Sequence, residues 1–486
     1  SNNTAVGDRA LVANTTGALN VAVGDSALAA NTTANNNVAI GYVALAANTT
    51  GTQNVAVGAY SLDANTTASY NTAIGYQTLS LNTTGEGNSC LGRWSLYSNT
   101  TGSHNNAFGQ NALLYSTIGS NNTAFGTNAL YNNTTGNQNV AIGRTAGQGN
   151  TTGSYNTAVG GEALMSNTTG TYNLALGYEA LEDNTTGAFN HGIGVQALAN
   201  NTTGSNNVAV GHAALWKNST ADNSTAVGYY TMLDNTTGHS HSAFGYQALA
   251  NNTTGNHNNA FGYTSMYTCT TGHSNVAIGT DSLFYLTTGT YNTCVGIQSG
   301  HAMTTGEFNT LIGYRAGDYN ADLTTGIRNT LIGAYANLAA ADDEYCISIG
   351  YNATGKGDNT FSVGNVGSGV YNSGNTTAWQ TTSDERIKKN IVDNNTGLAI
   401  LNQIQVRNFE YRTEDEIVDF DNPKAAVIEK EGTQLGVIAQ ELEKVLPECV
   451  KTQSTGVKTV DSNNLTWYLI NAIKELSAKV TALEAG

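Results

Sequence analysis

Proline is almost missing from this chain. Among 486 residues there are two, Pro423 and Pro447, both toward the C-terminal end. Charge is scarce as well, at 11% of residues, and acidic side chains outnumber basic ones to give a net charge of −16. Such a balance lacks the basic surface that nucleic acid or an anionic membrane requires, so neither is expected as a partner. No stretch is apolar over the length of a membrane-spanning helix, and no membrane insertion is expected. The five cysteines (Cys90, Cys269, Cys294, Cys346, Cys449) have neither metal-ligand nor disulfide spacing and read as buried free thiols. The eight histidines form no ligand set. No metal and no cofactor is expected. The chain opens without an initiator Met and in mid-repeat, which reads as a fragment whose N-terminal attachment region lies outside it.

What is abundant is Gly, with 55 residues, together with Asn and Thr, and these recur in order. A short strand-like motif ending in Gly runs Thr4-Ala5-Val6-Gly7, Val21-Ala22-Val23-Gly24, Val38-Ala39-Ile40-Gly41 and onward to Thr310-Leu311-Ile312-Gly313. It appears nineteen times at a constant interval of 17 residues, then at Thr330, Ile347 and Phe361 after steps of 20, 17 and 14. A unit this short cannot bury its own apolar face, so the pattern predicts a solenoid. Alternation along the strand places the large apolar residue on one face and Ala with Gly on the other. A second apolar position follows four residues after the Gly, usually Leu (Leu11, Leu28, Leu45, Leu62). Then comes Asn-Thr-Thr-Gly, as at Asn48-Thr49-Thr50-Gly51, where Asn and Gly suit left-handed corners and stacked Asn and Thr side chains can bond along the ladder. Each coil is expected to hold two short strands and two turns. Stacked at ~4.8 Å, the 22 coils would make a rod of roughly 100 Å. The small-residue face would admit another backbone closely, favouring several chains side by side. The repeat is similar in style to the head of trimeric autotransporter adhesins, a trimeric β-roll with shorter repeats.

Composition changes sharply near residue 383. Residues 1–382 hold only 7 of the 19 basic residues, and 365–382 read as a Gly/Ser/Asn/Thr linker. At the junction stands Thr381-Thr382-Ser383-Asp384-Glu385-Arg386-Ile387-Lys388-Lys389. A serine hydroxyl becomes a nucleophile when a base takes its proton, and a lysine serves once burial lowers its pKa. No histidine lies between Ser383 and Gly486, so within this segment a Ser-Lys pair is the arrangement left open. The bland alternative is a helix N-cap at Ser383.

The run Trp379-x-x-x-Ser383-Asp384-x-Arg386-x-Lys388-x-x-Ile391 resembles the intramolecular chaperone domain that ends phage endosialidases, tail spikes and tail fibres. Matching motifs follow in order: Phe409-Glu410-Tyr411, Gly436-Val437-Ile438-Ala439-Gln440-Glu441-Leu442 with Pro447, Val460-Asp461, and Ala472-Ile473-Lys474-Glu475-Leu476. The chain departs at Ser462, where the family often has an aromatic. The resemblance implies a domain that helps three chains assemble and then cuts itself off before the motif serine. Ser383 would be the nucleophile, Lys388 its base and Thr382–Ser383 the scissile bond, with Asp384 and Arg386 in supporting roles. Beyond this segment, Leu469, Ile473, Leu476, Val480 and Leu483 form a heptad seam, read as a short three-stranded coil; the plainer reading is a lone helix packed on its own domain.

Within the repeat, Glu162 and Glu179 lie 17 apart, as do Asp8 and Asp25, and would stack at about 5 Å, the carboxylate separation of a retaining glycosidase. Solvated acids on a repeat surface are the preferred reading. Exposed Tyr42, Tyr76 and Tyr178 would suit sugar stacking. The expectation is therefore a mainly β protein: a solenoid shaft (1–364), a linker (365–382), a small α+β chaperone and auto-processing domain (383–464) and a C-terminal coiled-coil helix (465–486). Its function would be that of a virion tail fibre or appendage, assembled as a homotrimer in the host cytoplasm. The shaft would meet a host cell-surface receptor, glycan or protein, and join other virion proteins through the missing N-terminal region. Its single enzymatic act would be one turnover of serine autoproteolysis. A cell-surface trimeric adhesin without proteolysis, or an ice-binding solenoid, is the alternative.

Overall fold

The computed structural model describes residues 2–319, 321–364, 370–372, 385, 388–417, 428, 430–453 and 456–486. The chain divides into two compact units, Ser1–Thr381 and Thr382–Gly486.

The first unit is a β-solenoid. Strands β1 (Thr4–Val6), β2 (Val21–Val23), β3 (Val38–Ile40) and their successors through β22 (Phe361–Val363) pair parallel, each with the next. Register is kept residue for residue, Thr4 on Val21, Ala5 on Ala22, Val6 on Val23. The 20- and 14-residue steps do not disturb it: Thr310 lies on Thr330 and Ile347 on Phe361. A further strand, β23 (Val370–Asn372), pairs antiparallel on β22. It lies within the stretch read from sequence as a linker, most of which is outside the described residues.

Each full coil has one three-residue strand, not the two expected. The rest of the coil is turn, because non-glycine residues adopt left-handed backbone there: Ser26 (φ 58°), Leu28 (φ 52°) and Asn36 (φ 61°) in one coil. Left-handed backbone falls on the Leu rather than on the corner Asn, contrary to the sequence reading. An L-residue pays roughly 1–2 kcal/mol for that conformation, but full burial of a Leu side chain returns about 1.5–3 kcal/mol. Burial wins. The glycine closing each strand has no such option. Gly41 sits at φ 141°, and a Cβ there would lie 2.5 Å from the carbonyl oxygen of Gly58 in the next coil.

The faces of the strand are reversed from what hydrophobicity suggests. Ala22, Ala39 and Ala56 point inward and are fully buried with Leu28, Leu45 and Leu62. The large third residue points outward: Ile40 is 40% exposed, Leu91 46% and Ile142 43%. The interior of most 17-residue coils holds one large side chain and two small ones, as with Leu28, Ala22 and Ala27, which leaves little room for a second branched side chain from the strand.

Polar ladders complete the interior. The Asn before each strand is buried; Asn20 Oδ1 accepts the Asn37 backbone N–H at 2.9 Å, and Asn37 Nδ2 donates to the Gly51 carbonyl at 2.9 Å. The corner Asn forms a second ladder, Asn48 Nδ2 donating to Asn31 Oδ1 at 3.1 Å and to Gly51 O at 3.0 Å. Thr32 Oγ1 donates to the Thr49 carbonyl at 3.2 Å. Backbone bonds between coils, such as the Leu28 N–H to the Ala44 carbonyl at 3.1 Å, satisfy much of the turns without a second sheet, and these side chains add to them. All five cysteines are free and buried. Four of them occupy an Ala or Asn position of these ladders, and burial pushes the Cys269 thiol up to about 12.

One ladder position holds a titratable ring. His241 takes the place of the Asn before the strand, with 1% exposure. Its Nδ1 accepts the Asn258 backbone N–H at 3.1 Å, and hydrogen bonding to Gly255 completes the role of the missing amide. Only the neutral imidazole can accept at Nδ1. Burial, with the nearby His239 and His257 adding to it, lowers the His241 pKa to about 4. An unfolded histidine titrates near 6.5, so the unfolded chain binds the extra proton first as pH falls. Stability should therefore drop from about pH 6.5 down to about pH 4, by roughly 3 kcal/mol in all. His241→Asn should flatten this acid limb, read by urea unfolding at pH 7 and pH 4.5; an unchanged pH dependence would contradict the assignment.

Candidate functional site

The second unit gathers around Leu442, Leu446 and Cys449, with Ile400, Ile404, Val437, Val460, Leu465 and Tyr468 packed on them. Its elements are α1 (Leu398–Leu401), β24 (Arg407–Phe409), β25 (Gln434–Gly436), α2 (Ala439–Leu442), β26 (Val450–Thr452), β27 (Lys458–Val460) and α3 (Ser462–Glu484). β24 pairs antiparallel with β25, and β26 with β27. Four of the sequence motifs thus lie on these elements: Phe409 closes β24, Gly436 to Leu442 joins β25 to α2, Val460 ends β27 and Ala472 to Leu476 lies in α3. The apolar stretch from Ile438 to Leu446 makes only one helical turn, α2, followed by a turn and by a 3-10 segment at Pro447–Cys449.

At Asn394 to Leu398 the chain is pinned to α3. Asn471 Nδ2 donates to the Asn394 carbonyl at 2.6 Å, and the Leu398 N–H donates to Glu475 Oε2 at 3.2 Å. Between them Gly397 touches the helix so closely that a Cβ would sit 2.4 Å from the Ala472 nitrogen. The Tyr468 hydroxyl, bonded to Glu448 Oε1 at 2.5 Å, ties α3 to the 3-10 segment. Sequence reading missed Gly397, Asn471 and Glu475; a glycine just ahead of an apolar run was the one available signal.

Thr382, Ser383, Asp384 and Arg386 lie outside the described residues. Lys388 is described and exposed, its backbone N–H donating to the Glu385 carbonyl at 3.1 Å. The lysine of a Ser-Lys pair needs burial to lose its proton near neutral pH, and one chain alone does not bury Lys388.

α3 presents two faces. Leu465, Tyr468 and Ala472 pack inward on the unit. Leu469, Ile473, Leu476, Val480 and Leu483 all face solvent, with Leu483 82% exposed. A lone helix packed on its own domain would have turned that seam inward.

On the solenoid, the acidic pairs are engaged by neighbours. Glu162 pairs with Arg144, and Glu179 accepts from Gln196 Nε2 at 2.8 Å. Of the tyrosines that follow a repeat glycine, Tyr229, Tyr246 and Tyr263 form one stacked column with rings 5.5 and 5.1 Å apart. Tyr42 and Tyr76 instead meet Tyr60 edge-on, and with Tyr178 they remain about half exposed. Among the described residues no group of His, Cys, Asp or Glu is arranged to hold a metal, and no helix is long and apolar enough to cross a membrane.

The protein thus joins a parallel β-solenoid to a small, separately packed α+β unit. Residues 383–451 match the family described as chaperone of endosialidase, so the C-terminal part of the chain carries that domain. No curated protein matches the chain.

Gly397→Ala should force the 394–398 segment off α3, lowering the second unit's melting temperature by several degrees while leaving the solenoid transition unmoved. Calorimetry resolving the two transitions checks this; an unchanged lower transition would contradict the close approach.

Proposed function

We propose that this chain is the shaft of a virion tail fibre or related appendage, assembled as a homotrimer by its C-terminal domain and then freed by cleavage between Thr382 and Ser383. The observation that carries the reading is the outward row of third-strand residues. From Val6 through Phe108 and Leu176 to Val363, every one is apolar. If each exposes about 50 Å², the row exceeds ~1,000 Å², beyond the largest patch of an ordinary monomer and of interface size. The reason for association is therefore the opposite of the sequence expectation: large residues offered outward, not small ones. The α3 seam is a second self-complementary strip in the same chain, which further copies of this chain would cover.

Assembly also supplies what the cleavage site lacks. Ser383 Oγ attacks the Thr382 carbonyl carbon and gives its proton to the neutral Lys388 amine. The Ser383 nitrogen leaves as an amine, taking that proton, and water hydrolyses the resulting ester to a Thr382 carboxylate and a restored hydroxyl. Lys388 is exposed in the single chain, so burial by neighbouring copies is the step that makes it a base. Cutting follows trimerisation. Arg386 and Asp384 support the turn and the developing oxyanion. The receptor, glycan or protein, meets the polar faces that the trimer leaves outside.

Denaturing mass measurement tests this directly. The wild-type chain should yield a 382-residue shaft and a 104-residue fragment. Ser383→Ala and Lys388→Ala should leave one intact chain that still trimerises. Leu476→Asp with Val480→Asp should block cleavage by blocking assembly. One uncut wild-type chain favours the adhesin or ice-binding alternative, and cleavage in Ser383→Ala removes the peptidase assignment.

A further inference from the structure

The outward row is nearly uniform. Most of its members are Val or Ile, so a copy displaced by one coil along its neighbour would lose only the contacts of the terminal coil. Identical repeats make such slips nearly equal in energy, and a domain that is cut away cannot hold the register afterwards. The shaft needs its own mark.

Two places in the row differ. Phe108 and Phe125 stand on adjacent coils with rings parallel to 6° and centroids 4.5 Å apart. Phe244 and Phe261 repeat the arrangement at 9° and 4.9 Å. Phe125 is 41% exposed, and Phe244 and Phe261 37% each, so these ring stacks stand out from the strand face beside shorter Val and Ile. Each pair forms a flat blade two coils tall. Eight coils separate the pairs, so no small displacement brings one onto the other.

We propose that Phe108–Phe125 and Phe244–Phe261 set the axial register between copies of this chain in the assembled shaft. The inference rests on the homotrimer reading. In register, the blades of the copies meet one another at two levels. Displaced by one coil, only one Phe of each pair still meets a Phe, and the others face Leu91, Ile142, Val227 or Ile278, which overfills one level and leaves a void at another. The Val and Ile coils supply adhesion without direction; the four phenylalanines supply position.

The test uses the full chain bearing cysteine reporters on the same row. Chains carrying Ile193→Cys should cross-link to one another on oxidation when copies are aligned. Mixed with differently tagged chains carrying Val227→Cys, two coils along, they should give almost no mixed product, because two strand spacings exceed disulfide reach. Replacing all four Phe by Val should cut the aligned Ile193→Cys product several-fold and raise the mixed product from near zero. These side chains lie outside the core, so the single chain should fold; its unchanged melting curve checks that. A four-Val variant that keeps full aligned cross-linking and gives no mixed product overturns the register assignment and leaves the trimer standing. Chains that sediment as monomers with native Phe in place overturn both.

Discussion

A 17-residue coil has very little inside, and that shortage governs the rest of the molecule. In most layers one large side chain and two small ones, as Leu28 with Ala22 and Ala27, fill the apolar interior. The remaining interior is closed by buried Asn side chains such as Asn20 and Asn31, which bond backbone groups one coil away. Stability is therefore spread as neighbour-to-neighbour terms, since no coil has a core of its own. The shortage also explains why the apolar residues that the repeat cannot house are displayed outside in an unbroken line. A solvent-facing row of Val, Ile, Leu and Phe is costly for an isolated chain. It is economical for a bundle, where several poor cores share one good one.

Much of this was legible in the sequence. The period, the parallel register and the place of the strand followed from the recurrence of motifs like Val38-Ala39-Ile40-Gly41. The orientation of the strand did not follow, because alternation says that two faces differ without saying which one is inside. Cross-section decides that, and it favours Ala22 over Val23. The second expected strand was lost to the same cause: Leu28 must reach the interior from a tight curve, and a left-handed backbone is how it does so. The Asn preceding each strand went unread because attention fell on the corner Asn, although both recur at the same interval.

In the second unit the ordered motifs located β24, β25, α2, β27 and α3, and the heptad spacing identified the strip that α3 leaves exposed. An apolar run before Pro447 does not say how many helical turns it makes, and α2 makes one. The serine, its flanking threonine, Asp384 and Arg386 lie outside the described residues. Lys388 is the one proposed site residue with a described setting, and it is exposed. On the proposed reading neighbouring copies complete the site, and the pattern of one chain carries only its own share of such contacts.

The account turns on whether other copies of this chain cover the outward row. Sedimentation equilibrium of the purified shaft over a wide concentration range measures that most directly. Three chain masses, constant on dilution, is the predicted result. A single chain mass, with the row from Val6 to Val363 left in water, would contradict it.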